Sequence, residues 1–267
     1  MTATAPPGIA ALDRPEVLFH LFHPRPEAAG RYHGPAQSLM IPVAPEAAVG
    51  ARFHVQAPAN LNLLFFHGNG EIVADYDALG PLYNDRGINL LAVDYRGYGR
   101  SSGRPSAAAP LADSHAILDY TRTWLETAGY TGPLVLMGRS LGSAAALELA
   151  HCRPSDIDGL IVESGFALAT PLLRLLGIDP DRIGFVEDQG FGNIDKIRTF
   201  SGPTLIIHAE FDHIIPFSDG EALYAASPGA PKKLLRIAGA NHNDIFLRGM
   251  ADYLDAVEWL GWQCRKE

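Results

Sequence analysis

The amino-acid sequence predicts an α/β domain built on a doubly wound, mostly parallel sheet. Two observations carry this. Short apolar runs recur along the chain at Leu61–Phe66, 89–94, 134–137, Gly159–Glu163, 204–208 and 234–238. They are near-continuous rather than alternating, as strands buried on both faces of a parallel sheet must be. Helical stretches separate them, so the units are βαβ with right-handed crossovers. The 267 residues, 47% hydrophobic and 19% charged, give ample material for the core of a single domain spanning 1–267.

Taken in order, residues 1–36 carry Pro6, Pro7, Pro15, Pro24, Pro26 and Pro35, and are expected to wrap the domain irregularly. Residues 38–57 should supply antiparallel strands at one edge. The stretch 111–128 places Leu111, Ile117, Leu118, Tyr120, Trp124 and Leu125 at helical spacing. The Ala- and Leu-rich stretch 140–151 and the amphipathic 244–262 complete the helices. About forty residues separate the strand ending at Glu163 from the one starting at Thr204, more than a crossover needs. An inserted lid over 167–195 is expected, with a long crossover helix and surface loop as the alternative.

The formal charge of −9 argues against a nucleic-acid or anionic-membrane partner. No run of eighteen apolar residues suggests a membrane span. The N-terminus lacks a basic segment followed by an apolar one, so no secretory signal is expected and the cytoplasm is the default location. Cys152 and Cys264 match no metal motif and are expected to be free thiols. No metal or organic cofactor is expected, and nothing in the sequence assigns an oligomeric state.

In open α/β sheets ligands sit beyond the carboxyl ends of the strands, so chemistry belongs just after each apolar run. Gly138-Arg139-Ser140-Leu141-Gly142 follows one run and opens a helical stretch. This is the strand–turn–helix setting of a nucleophile elbow, with Ser140 at a helix N-terminus that favours developing negative charge. A serine hydroxyl needs a base to take its proton. His242, in Gly239-Ala240-Asn241-His242 after the last run, is placed for that role. Asp212 follows the run ending at 208 and is the first choice for the acid that orients the imidazole, with Glu210 and Glu163 as rivals. His67-Gly68-Asn69-Gly70-Glu71 follows the first run. Its backbone N–H at Asn69 or Gly70, with that of Leu141, could cradle an oxyanion.

The set HGNGE (67–71), DYRGYGRSSG (94–103), GRSLG (138–142), AEFD (209–212) and GANH (239–242) resembles the α/β-hydrolase superfamily over residues 50–262. It is most similar to bacterial hydrolases carrying HGN-x-E and DYRGYG-x-S, related to the Bem46-like branch. The resemblance implies the α/β-hydrolase fold and a triad of Ser140, Asp212 and His242. Two positions depart from the pattern: Ala209 stands where a glycine is usual, and Arg139 is charged. Arg139 could pair with Glu71 or Glu163 and hold the oxyanion loop, or it could bind a substrate anion.

The expected function is hydrolysis of carboxylic esters or thioesters of a small-molecule acyl substrate, through an acyl-enzyme on Ser140. An aminopeptidase-like or amide hydrolase with the same triad is the alternative, and a non-catalytic binding module is a third possibility.

Overall fold

The computed structural model of the chain describes residues 7–28 and 34–265. Eight strands form one sheet in the order β1-β2-β4-β3-β5-β6-β7-β8. The hairpin β1 (Gln37–Ala44) and β2 (Ala47–His54) forms one edge, with β2 antiparallel to β4 (Ile88–Val93). From β4 onward the sheet is parallel through β3 (Leu61–Phe66), β5 (Leu134–Arg139), β6 (Gly159–Glu163), β7 (Thr204–Ala209) and β8 (Lys232–Ile237). Every residue of β3 to β7 is buried, which is why these runs read as apolar without alternation. Of the parallel strands only β8, at the far edge, is partly exposed; at the opposite edge β1 is mostly exposed as well.

The pleat sends successive side chains to opposite faces, and the core splits accordingly. Leu64 and Phe66 of β3 join Leu118 of α4 (Ala109–Thr127) and Leu147 of α5 (Gly142–Cys152). Leu61, Leu63 and Phe65 join Tyr83 of α3 (Gly80–Asn84) and Tyr253, Val257 and Leu260 of α10 (Ile245–Gln263). Helices on both faces make the sheet doubly wound.

Three expectations are adjusted. The N-terminal segment is not wholly irregular: it holds α1 (Pro7–Leu12) and α2 (Pro15–Leu21). Pro15 stands in the first turn of α2, where a missing N–H breaks no helical bond. Ile9, Leu12, Val17 and Phe22 anchor this segment in the core. Next, β5 runs on to Arg139, paired in register with Glu163 of β6, and α5 begins at Gly142, so Ser140 lies in the turn and not in the helix. Third, the crossover from β6 to β7 holds three short helices, α6 (Ala169–Leu175), α7 (Pro180–Ile183) and α8 (Asn193–Ile197), and no long one. Glu187 accepts from the amides of Ala169 and Thr170, at 2.8 and 2.7 Å, satisfying orphan donors at the start of α6. The remaining helix, α9 (Phe217–Ala226), connects β7 to β8. No described helix is long and apolar enough to cross a membrane.

Candidate active site

The turn after β5 is sterically confined. A Cβ on Gly138 would stand 2.4 Å from the carbonyl oxygen of Gly142, and a Cβ on Gly142 would stand 2.1 Å from that of Phe66. Only glycine fits at either position. Ser140 takes a left-handed conformation, φ 51°, which is strained for a residue with a side chain. Neighbours hold it there: the Ser140 amide donates to the Glu163 carbonyl at 2.9 Å, and the Ser143 hydroxyl donates to the Ser140 carbonyl at 2.6 Å.

The loop after β8 brings His242 to this turn. Its Nε2 lies 3.1 Å from the Ser140 Oγ, and its Nδ1 lies 2.8 Å from Asp212 Oδ2. The pattern fits a serine hydroxyl donating to Nε2 while Nδ1–H donates to the carboxylate. Asp212 comes from the loop after β7, with its side chain fully buried. Its other oxygen accepts from the amides of Ile214 and Ile215, at 3.0 and 2.8 Å. Burial alone would raise this carboxyl, but the His242 hydrogen bond and charge and the two amides hold it below the usual carboxylate range.

Neither rival acid reaches the imidazole in this way. Glu210 accepts from the Gly239 amide at 2.8 Å and faces Arg236 at 3.5 Å. Both Glu163 oxygens are engaged elsewhere, by Arg139 at 2.6 Å and the Tyr253 hydroxyl at 2.6 Å.

The HGNG turn after β3 is tied down on several sides. His67 is fully buried, with Nδ1 2.8 Å from the Gly68 carbonyl and Nε2 3.1 Å from Asp94 Oδ1. Burial disfavours the imidazolium, yet the Asp94 contact outweighs it and raises the affinity of the ring for a proton. The Asn69 side chain faces away from the serine. Its Oδ1 accepts from the His23 amide at 2.9 Å and the Tyr98 hydroxyl at 2.7 Å, and its Nδ2 donates to the Leu21 carbonyl at 2.9 Å. Any donor from Asn69 to a ligand is therefore its backbone amide. The Gly70 carbonyl accepts from Arg25 Nε at 2.7 Å. Leu141 opens α5.

Residues 57–177 match the family described as Serine aminopeptidase, S33. Alpha/beta hydrolase domain-containing protein 17C of Mus musculus is 34% identical over 216 residues, which are 79% of this chain and 62% of that protein. The 17B protein of Homo sapiens is 32% identical over 209 residues, 75% of this chain and 66% of its own. The chain thus spans a little under two thirds of these relatives' length. Among solved structures, an esterase from Pyrococcus furiosus superposes with a TM-score of 0.69 at 14% identity, covering 89% of this chain and 98% of that one. This chain belongs to the α/β-hydrolase superfamily.

Beneath the serine lies an ion network centred on a buried guanidinium. Arg139, 7% exposed, donates through Nε to Glu71 at 2.7 Å, through Nη1 to Glu163 at 2.6 Å and through Nη2 to the His242 carbonyl at 2.9 Å. The sequence suggested Glu71 or Glu163 as partner; the guanidinium fork takes both, and its third contact, to the backbone of His242, was not anticipated. Glu71 passes the constraint onward, accepting from the Gly68 amide at 2.8 Å and the Tyr76 hydroxyl at 2.5 Å. Burial resists its ionisation, but the Arg139 charge wins and lowers the carboxyl to about 2. One side chain thus links the HGNG turn, the elbow strand, β6 and the histidine loop.

Two supports had no local sequence signal. His208, at the end of β7, donates from Nε2 to the Ile215 carbonyl at 2.8 Å and sits 3.6 Å from Asp212. Burial lowers its proton affinity, which favours the neutral ring. The other is the 21–25 segment, whose contacts to Asn69 and Gly70 span more than forty residues of sequence.

An apolar cavity of about 300 Å³ opens beside Asp212, walled by Phe166, Leu168, Leu172, Leu175, Ile214 and Ile215. Of the leucine-rich crossover stretch, Leu168, Leu172 and Leu175 face this space. Leu173 is buried in the core and Leu176 packs against it, because α6 can present only one face to the cavity.

Proposed function

We propose that this hydrolase cleaves carboxylic esters or thioesters through an acyl-enzyme on Ser140. The observation that carries this is the unbroken hydrogen-bond chain from the Ser140 Oγ through His242 to Asp212. His242 takes the hydroxyl proton as Oγ attacks the acyl carbon, and the imidazolium that forms is stabilised by Asp212. His242 then returns the proton to the leaving alcohol or thiol. In the second half a water gives a proton to His242 as its oxygen attacks the acyl carbon, and His242 returns that proton to Oγ as the acyl–Oγ bond breaks and the acid leaves.

The negative charge on the tetrahedral intermediate is assigned to the backbone amides of Leu141 and Asn69. The Gly70 amide is the alternative donor in the same turn. The cavity beside Asp212 is suited to the acyl chain. Its volume, about 300 Å³, stands at the small end for ligand pockets and favours small to medium acyl groups. An esterase and a monoacylglycerol lipase share this fold at low identity; they lend the proposal precedent for the fold alone. The serine aminopeptidase description over residues 57–177 supports a second reading, amide cleavage by the same triad.

Fluorophosphonate labelling, with nitrophenyl esters, acyl thioesters and aminoacyl nitroanilides of graded size as substrates, tests both. Labelling and ester or thioester turnover that vanish together in Ser140→Ala are expected. Undiminished labelling of that variant would refute the nucleophile, and turnover confined to the anilides would favour the second reading.

A further inference from the structure

A group of side chains of metal-ligating type lies on the helical layer, away from the serine. His115 projects from α4, and Glu148 and Cys152 lie four residues apart on α5. Their ligand atoms all fall within 4.8 Å of one another. Glu148 and Cys152 are eight and twelve positions past Ser140, about 12 and 18 Å at helical rise. The group borders its own cavity of about 640 Å³, lined also by His151, Asp195 and Lys196.

We propose that His115 Nε2, Glu148 Oε1 and Cys152 Sγ bind a zinc-class divalent ion, with a fourth position open to this cavity. The His115 distance is long for a hydrogen bond, and the Cys152 distance is compatible with either a thiol hydrogen bond or coordination. His115 Nε2 and Cys152 Sγ each lie 3.5 Å from Glu148 Oε1. For the imidazole this is well beyond a good N–H···O bond. Zinc bonds of about 2.0–2.3 Å in a tetrahedron place neighbouring ligand atoms about 3.3–3.7 Å apart, so these separations suit co-ligands. Spacing of four residues puts Glu148 and Cys152 on one helix face, and the i, i+4 pair needs only one ligand from α4 to complete a three-point site.

The remaining carboxylate oxygen is already oriented. Lys196 of α8 donates to Glu148 Oε2 at 2.6 Å, which leaves Oε1 turned toward His115 and Cys152. Such an outer contact fixes a ligating carboxylate without competing for the ion. Cys152 is exposed and His115 and Glu148 are half-buried, so solvent and ion have access. On binding, the Cys152 S–H bond breaks, its proton passes to solvent, and the sulfur lone pair forms the bond to the metal. His115 coordinates as the neutral imidazole, keeping its Nδ1 proton. Thiolate and carboxylate together balance the two positive charges. The ion would cross-link α4 to α5 from outside the core.

Cobalt(II) titration of the full chain tests this, since a thiolate-to-cobalt bond absorbs in the near ultraviolet and four-coordinate cobalt in the visible. One equivalent should develop both bands, and zinc should bleach them. Cys152→Ser should lose the near-ultraviolet band, His115→Ala should weaken binding about tenfold or more, and Cys264→Ser should change neither. Zinc should raise the melting temperature of the wild type and leave that of Cys152→Ser unmoved. Metal-free melting of each variant confirms that it folds. The proposal is overturned by a wild type without the thiolate band, by a band that survives Cys152→Ser, or by equal zinc stabilisation of both proteins.

Discussion

Replacing Arg139 by methionine keeps the length of the side chain and removes its charge and three donors. Two carboxylates then lose their cation, Glu163 fully buried and Glu71 half-buried. Glu71 keeps the Gly68 amide and the Tyr76 hydroxyl, and Glu163 keeps only the Tyr253 hydroxyl. Removing one partner of a buried ion pair costs about 3–5 kcal/mol. At roughly 2 °C per kcal/mol for a chain of this length, the melting temperature should fall by about 6–10 °C near neutral pH. The pH dependence has a definite sign. In the wild type Glu71 ionises at about 2, so its share of stability is complete above the ordinary carboxylate range and is lost as pH falls toward 2. In the variant the Arg139 charge no longer offsets burial, so the carboxyl takes up its proton at a higher pH than in the wild type, and that protonation relieves the penalty as pH falls. The gap in melting temperature should therefore narrow from pH 7 to pH 4. Catalysis should suffer through the HGNG turn and the His242 carbonyl. A whole oxyanion donor is worth about 2.7–4 kcal/mol; losing a fraction near 1.4 kcal/mol lowers kcat about tenfold. The loss should be equal for neutral and anionic esters. Differential scanning fluorimetry across pH, with steady-state kinetics on both ester types, reads all of this. An unchanged melting temperature with unchanged kcat on neutral esters would refute the anchoring role, and a KM effect on anionic esters alone would make Arg139 a substrate contact instead.

Asp212→Asn should lower kcat on the order of 10⁴-fold, because it favours the wrong imidazole tautomer, while Glu210→Gln should leave kcat within a few-fold; steady-state ester kinetics on both variants would show a reversal if the assignment were wrong. Leu172→Ser should reduce kcat/KM more for long acyl chains than for acetate, a ratio read from a chain-length series, whereas an equal loss would indicate damage to folding. Gly142→Ala forces a Cβ to within 2.1 Å of a backbone oxygen and should give a protein with a markedly lower melting temperature and no probe labelling; wild-type values for both would contradict the packing described for the turn.

Much was legible from the sequence alone. Buried strands of a parallel sheet must be apolar on both faces, so their number and approximate ends could be read from β3 to β7, whereas their order in the sheet could not. Residues confined to strand ends by that pattern then sorted themselves by chain order, which is how Ser140, Asp212 and His242 were singled out. The glycines of the elbow are local requirements of one tight turn, visible as a motif. Choices between neighbours could be ranked but not settled. Asp212 and Glu210 are two residues apart in a similar loop, and only the approach of the loop after β8 decides which carboxylate meets the imidazole. Asn69 and Gly70 look equivalent until Tyr98 and the 21–25 segment are brought in from distant parts of the chain. Prolines in the first thirty-six residues suggested an irregular course, but Pro15 is harmless in the first turn of a helix, and burial of Val17 and Phe22 decides the matter. The same holds for Arg139. Its identity invited a partner, yet that it clasps two carboxylates and the histidine loop at once depends on β5 lying between β3 and β6. Local pattern reports which residues must be buried or must turn. The tertiary structure decides which of them meet, because those contacts join segments far apart in sequence and are made only when the whole sheet closes.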